Sequence, residues 1–270
     1  MGDKQRDPRD ETIPPIFVTD GPTSSISRDK TLFSAWNIAF TAAIIVLCYL
    51  CFFRQGPYLQ VLKFIPDGLL VTFKITLLSI AIAVPLGLLT GLGRLAKNRV
   101  INLIASTYVE IIRGIPLLMQ LFYIYYALGP ILNASAIVAA VVALSFCYGA
   151  YMGEVFRAGI LSVSKGQTEA AYSLGFNRFQ TMFIVILPQA MRTIIPPVGN
   201  ECIALLKDTS LVSVIAVADL LRRGREYASQ SFNYFETYTV IALVYLIITL
   251  LLSRLLSHVE GRMSQYERLQ

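Results

Sequence analysis

Charge is scarce in this chain. Asp, Glu, Lys and Arg make up only 15% of its 270 residues, against 55% hydrophobic residues and a mean hydropathy of +0.61. A soluble domain carries about 25% charged residues, so the composition excludes an ordinary water-facing globule and indicates a polytopic membrane protein. Histidine occurs once, as His258, which excludes a His-rich metal motif, and its place near the end of an apolar run makes it an interfacial residue. The four cysteines, Cys48, Cys51, Cys147 and Cys202, all lie in apolar segments, where Cys behaves as a small hydrophobe, so no metal site or disulfide is expected. The chain also lacks a G-x-x-x-x-G-K-[ST] phosphate loop and a G-x-S-x-G elbow. If it works against a gradient, the energy comes from a partner or an ion.

What charge there is has a sign. The net charge of +6 and pI near 9.2 would suggest nucleic acid in a soluble protein. Here the Lys and Arg residues fall between apolar runs, as they do in cytoplasmic loops of membrane proteins, so no nucleic-acid partner is expected. Residues 1–30 are charged and rich in Pro, Ser and Asp, with no signal-peptide core, and read as a flexible cytoplasmic tail.

Runs of about 20 apolar residues, enough to cross a bilayer, occur near 31–53, 67–92, 103–128, 135–156, 180–205 and 234–256. Six spans are expected. The basic residues of the tail, Arg94, Lys97 and Arg99 after the second span, Arg157, Lys165 and Arg178 after the fourth, and Arg254, Arg262 and Arg268 at the end set the cytoplasmic side and put both termini there. One connection conflicts: Lys207, Arg222, Arg223 and Arg225 fall outside by parity, which implies either a re-entrant segment or a miscounted span.

Ionisable groups inside a bilayer cost about 2.5–3.5 kcal/mol each on insertion scales, so each needs a role. Glu154 either pairs with Arg157 one turn away or faces a cavity and receives a cationic group of a solute, and Asn200 and Glu201 are read the same way. Glu110 and Arg113, three apart on one helix face, are expected to form a structural ion pair. Pro188, Pro196, Pro197 and Gly199 should kink or break the fifth span, and freed backbone groups at that depth are tolerated only along a cavity or buried in protein. Asp208, Thr209 and Ser210 then read as the cap of a fresh helix over 212–221 whose positive dipole end suits a carboxylate. Gly87 and Gly91 form a small-xxx-small face for close helix packing.

Between the fourth and fifth spans lies Lys165-Gly166-Gln167-Thr168-Glu169-Ala170-Ala171-Tyr172-Ser173-Leu174-Gly175, a helix-forming stretch ended by a glycine turn. With Val185, Leu187 and Pro188 it resembles the EAA motif of permease subunits of bacterial ABC importers, with Val185 where the motif usually has Ile. Three further stretches, Tyr108–Leu121, Ala150–Ile160 and Leu187–Arg192, together with Lys207–Leu211, are similar to the polar amino-acid subfamily, which includes the histidine, glutamine and glutamate permeases.

The resemblance covers residues 65 to 257 and implies an all-α, type I (MetI-like) importer permease. Its core of five membrane helices would occupy 61–258, with a coupling helix at 163–177, an extra N-terminal helix and connection at 31–60, and a cytoplasmic tail at 259–270. It further implies a multi-pass subunit of the cytoplasmic (inner) membrane that moves a polar amino acid by alternating access. Its partners would be two ATPase subunits, a second permease subunit, identical or homologous, and a periplasmic or lipid-anchored binding protein. No cofactor is expected in this chain, ATP and Mg being held by the ATPase. Gly166, Gln167, Glu169, Ala170, Ala171 and Gly175 would contact that ATPase, while Glu154, Asn200, Glu201, Asp208, Thr209 and Ser210 would line the solute route. An ion-coupled secondary transporter or channel is the alternative that the residues leave open.

Overall fold

The computed structural model describes residues 35–54 and 56–267, with side chains as far as Gly261. The tail expected over 1–30 and the last three residues lie outside them. Among the described residues every regular element is a helix. These are α1 (Ala35–Phe53), α2 (Pro57–Phe64), α3 (Pro66–Arg94), α4 (Arg99–Gly114), α5 (Leu117–Leu132), α6 (Ala136–Leu161), α7 (Lys165–Ser173), α8 (178–208), α9 (Leu220–Ser231) and α10 (Tyr234–Glu267). Five helical segments are long and apolar enough to cross a membrane, and a sixth span arises if α4 and α5 count together.

The core is built on α3 and α6. Both are long, 29 and 26 residues, and they run parallel in close contact. Glycines set that distance. A Cβ on Gly87 would stand 2.6 Å from the Met152 Cβ, and one on Gly91 would stand 2.8 Å from both the Gly153 carbonyl oxygen and the Phe156 Cβ. The absent side chains let the two backbones touch, which in a lipid solvent is the main source of helix association. The buried Ser145 hydroxyl adds a bond of 3.3 Å to the Ser79 carbonyl. We expect Gly91→Ala to force these helices apart at a cost of about 1–3 kcal/mol, an overpacking penalty that lowers the melting midpoint of the detergent-solubilised protein by roughly 2–12 °C; an unchanged midpoint would refute this packing account.

The expected third span is not one straight helix. Proline at 116 holds Ile115 extended (φ −107°, ψ 129°) and ends α4 at Gly114, so that α4 and α5 meet at a bend of 100°. The bend strands carbonyls at Ile112 and Ile115, and the buried Gln120 amide donates to both at 2.8 Å. The fifth span also departs from expectation. Pro196 and Pro197 lie inside a helix that continues from Leu187 to Asp208, and the irregularity sits earlier, as a π-helical turn at Thr181–Ile186 just before Pro188.

The conflicting basic connection finds its place at the end of the bundle where α3 begins. Arg223 lies 3.6 Å from Asp67, and both Arg222 and Arg223 reach Glu226 (3.1 and 3.2 Å). That is the end parity requires for Arg222 and Arg223, while Val212, Ile215 and Val217 of the same connection pack into the core of the bundle. No helix is capped at Asp208 as expected. A 3-10 stretch, Thr209–Ile215, follows α8, and α9 starts later on Asp219, whose carboxylate accepts from the Leu221 and Arg222 amides (3.2 and 2.9 Å). Burial pushes the Asp219 carboxyl up to about 6, against the pull of those amide bonds.

Candidate functional site

Two regions carry the unusual chemistry, one at each end of α8. At the end where α3 finishes, α7 stands outside the bundle. Its C-terminus closes on Gly175 at φ +84°, with the Gly175 amide donating to the Tyr172 carbonyl (3.0 Å) and the Phe176 amide to the Ala171 carbonyl (3.1 Å), the two bonds of a Schellman turn. Asn177 then starts α8 with a reciprocal capping box to Gln180. Gly166, Gln167, Glu169, Ala170 and Gly175 are exposed. Ala171 is not: it is buried within the chain itself and fixes α7 in place, so its expected role as an outward contact is corrected. Near α7 several apolar side chains are exposed, among them Leu174, Phe179 and Phe183, the two rings tilted against each other with centroids 4.4 Å apart.

Beside α7 a charge network ties three helices. Glu154 of α6 pairs with Arg94 of α3 and with Arg157 (3.1 Å), and Arg94 reaches Glu110 of α4 at 3.9 Å. The Glu110–Arg113 pair expected from spacing is therefore not formed. Glu110 is largely exposed and turns to Arg94, while Arg113 lies on the other side, its guanidinium 5.2 Å from the centre of the Tyr151 ring. A charge at i+3 was the nearer partner in sequence; the antiparallel packing of α4 on α3 supplied another. Glu154, shared by two arginines, is not among the residues that line the charged cavity nearby.

That cavity opens where α4 bends. It measures about 340 Å³ and is lined by Arg113, Tyr148, Tyr151, Glu201 and Asp208, with Pro116 and Cys147 among the rest. The Tyr148 hydroxyl donates to Asp208 at 2.7 Å. Of the expected pathway residues, Glu201 and Asp208 meet here. Asn200 is exposed elsewhere, Thr209 is buried with its hydroxyl spent on the Leu206 carbonyl (2.6 Å), and Ser210 does not line the cavity. Sequence reasoning singled out neither Tyr148 nor Tyr151, and it gave Arg113 to the pair with Glu110. Arg113-Gly114-Ile115-Pro116 held the signal, since a proline that ends a helix at membrane depth frees its last side chains to face a cavity. A metal site is not built: no group of three His, Cys, Asp or Glu side chains converges among the described residues.

Long apolar helices around a small charged cavity, with a separate water-facing helix at one end, define a membrane transport subunit. The chain belongs to the family described as binding-protein-dependent transport system inner membrane component, which it matches over residues 83–265. It is 41% identical over 200 residues to the glutamine transport system permease protein GlnP of Escherichia coli (strain K12), covering 73% of this chain and 91% of the relative. It is 44% identical over 202 residues to the L-cystine transport system permease protein TcyB of Bacillus subtilis (strain 168), covering 74% and 86%. A solved amino acid ABC transporter, crystallised with histidines, superposes with a TM-score of 0.71 at 44% identity, over 76% of this chain and 98% of that one. The inward-facing MetNI methionine ABC transporter shares the fold, with a TM-score of 0.64 at 21% identity over 77% and 99%. The chain is thus a multi-pass inner-membrane permease subunit of an ABC importer for amino acids.

Proposed function

We propose that this permease carries a polar amino acid through the cavity between α4, α6 and α8. The observation that carries the reading is the joining of one cation, Arg113, with two carboxylates, Glu201 and Asp208, in a cavity of about 340 Å³, near the lower end of small-molecule pockets. An amino acid presents a carboxylate and an ammonium. Arg113 suits the first, bidentately, and Glu201 the second, while Asp208 is held by Tyr148. With two acids to one base, a neutral or basic side chain is favoured over an acidic one. The names of the glutamine, cystine and histidine-bound relatives agree with that class.

The energy enters elsewhere. Glu169, Ala170, Gln167, Gly166 and Gly175 form the contact with an ATPase subunit, which supplies ATP and Mg. Two such ATPases, a second permease subunit and an external binding protein complete the machine, whose cavity alternates between the two sides as the ATPases close. Arg94, Lys97, Arg99, Arg157, Lys165 and Arg178 gather at the α7 end, which supports a cytoplasmic position for α7 and for both termini.

The test is to purify the assembled complex in proteoliposomes and measure ATP hydrolysis with each of the common amino acids in the presence of the binding protein. Neutral polar or basic amino acids should stimulate hydrolysis several-fold and acidic ones should not. Stimulation by acidic amino acids alone would overturn the charge argument. Uptake by the purified permease without ATPase would replace the reading with an ion-coupled transporter or channel.

A further inference from the structure

Motion imposed on α7 has two exits, through α6 on one side and α8 on the other. The α6 side is stiff: α6 is locked to α3 by the glycine contact and by Glu154 between Arg94 and Arg157. The α8 side begins softly. After the Gly175 turn comes the π-helical segment Thr181–Ile186, whose wider hydrogen-bonded ring is less tightly held than an α-turn and can yield locally. Left alone, that segment would absorb a displacement of α7 before it reached the part of α8 that carries Glu201 and Asp208.

One side chain bridges the soft segment. The Gln189 amide donates to the Val185 carbonyl within α8 (3.0 Å) and to the Gln167 side-chain oxygen on α7 (3.2 Å), across 22 residues of sequence. It stands on the regular helix just beyond Pro188. We propose that Gln189 is a positioning residue for energy coupling, a cross-tie that makes α7 and the cavity-bearing part of α8 move together. The proposal rests on the reading of α7 as the ATPase contact.

The assembled complex in proteoliposomes tests it through the ratio of ATP hydrolysed to radiolabelled amino acid taken up, which a merely structural residue would not change. Gln189→Leu, at a residue outside the ATPase contact, should raise the ratio about fivefold, the scale of one lost hydrogen bond, with insertion unchanged and the melting midpoint lowered by no more than about 4 °C. Gln167→Leu, which also alters the ATPase face, should raise the ratio at least as much, and the double variant should be no worse than Gln167→Leu alone. An unchanged ratio in Gln189→Leu, or a double variant worse than Gln167→Leu by the full effect of Gln189→Leu, would each overturn the cross-tie. Gly175→Pro separates the two layers. Loss of uptake there with normal glutamine variants removes only the role of Gln189, whereas normal uptake by Gly175→Pro removes the reading of α7 on which it stands.

Discussion

Gly175→Pro should abolish amino-acid uptake and ligand-stimulated ATP hydrolysis while the chain still inserts in the membrane. The turn that ends α7 holds Gly175 at φ +84°. Proline is fixed near φ −65° and has no N–H, so it can neither adopt this conformation nor donate to the Tyr172 carbonyl as the glycine does. The exit of α7 must then point elsewhere, and the whole exposed face of Gln167, Glu169 and Ala170 turns with it. A graded series isolates the cause. Nothing stands within 4 Å of a Cβ built at Gly175, so Gly175→Ala suffers only the left-handed backbone penalty, about 1–2 kcal/mol, and Gly175→Asn, which tolerates that region, still less. Uptake should therefore fall in the order Gly, Asn, Ala, Pro. Measured uptake in vesicles with permease quantified by blotting checks it, and a proline variant with parent-level transport would remove α7 from the coupling path.

Much of this architecture was legible because the bilayer reduces the vocabulary of folds. Apolar runs of sufficient length must be helices, which is why six expected spans correspond to the observed set once α4 and α5 are joined. The helix breaks were less legible. Four features of the fifth span, Pro188, Pro196, Pro197 and Gly199, all suggested a break, yet α8 runs on as helix through all of them, with Pro188 following closely on the π-helical turn Thr181–Ile186. One proline in the third span bends the chain by 100° because the extended Ile115 stands before it. Sequence spacing does not tell these cases apart; the neighbours do, as Gln120 shows by satisfying the carbonyls at the bend.

Charge partners were the least legible part of the site. Spacing of three residues within a helix made Glu110–Arg113 and Glu154–Arg157 equivalent on paper. In the folded chain, Arg94 arrives from α3 and takes a share of both acids. That ties Glu154 into an ion-pair network away from the charged cavity and leaves Arg113 facing Tyr151, Glu201 and Asp208. The cross-helix partner is long-range in sequence, so no local pattern announces it. The helix and turn of α7 were legible for the opposite reason. Its helix, its exposed face and its glycine turn are all local, and only the inward orientation of Ala171 needed the rest of the chain.

Arg113 is where the reassignment has its largest consequence. If it binds the solute carboxylate, Arg113→Leu removes a charge-assisted, two-pronged contact worth about 1.5–3 kcal/mol, and uptake at subsaturating amino acid should drop roughly 10- to 150-fold. Leucine also leaves Glu201 and Asp208 facing each other's charge across the cavity with no cation to offset them, so the residual activity should shift toward basic amino acids. Arg113→Lys keeps the charge and loses the planar fork, so it should recover part of the rate and little of the discrimination. Two measurements decide it: initial uptake rates for neutral, basic and acidic amino acids, and ATP hydrolysis without amino acid as a check that the complex is assembled. A leucine variant with intact assembly and an unchanged amino-acid profile would show that Arg113 serves only to hold Tyr151, and the solute would have to be sought elsewhere along α8.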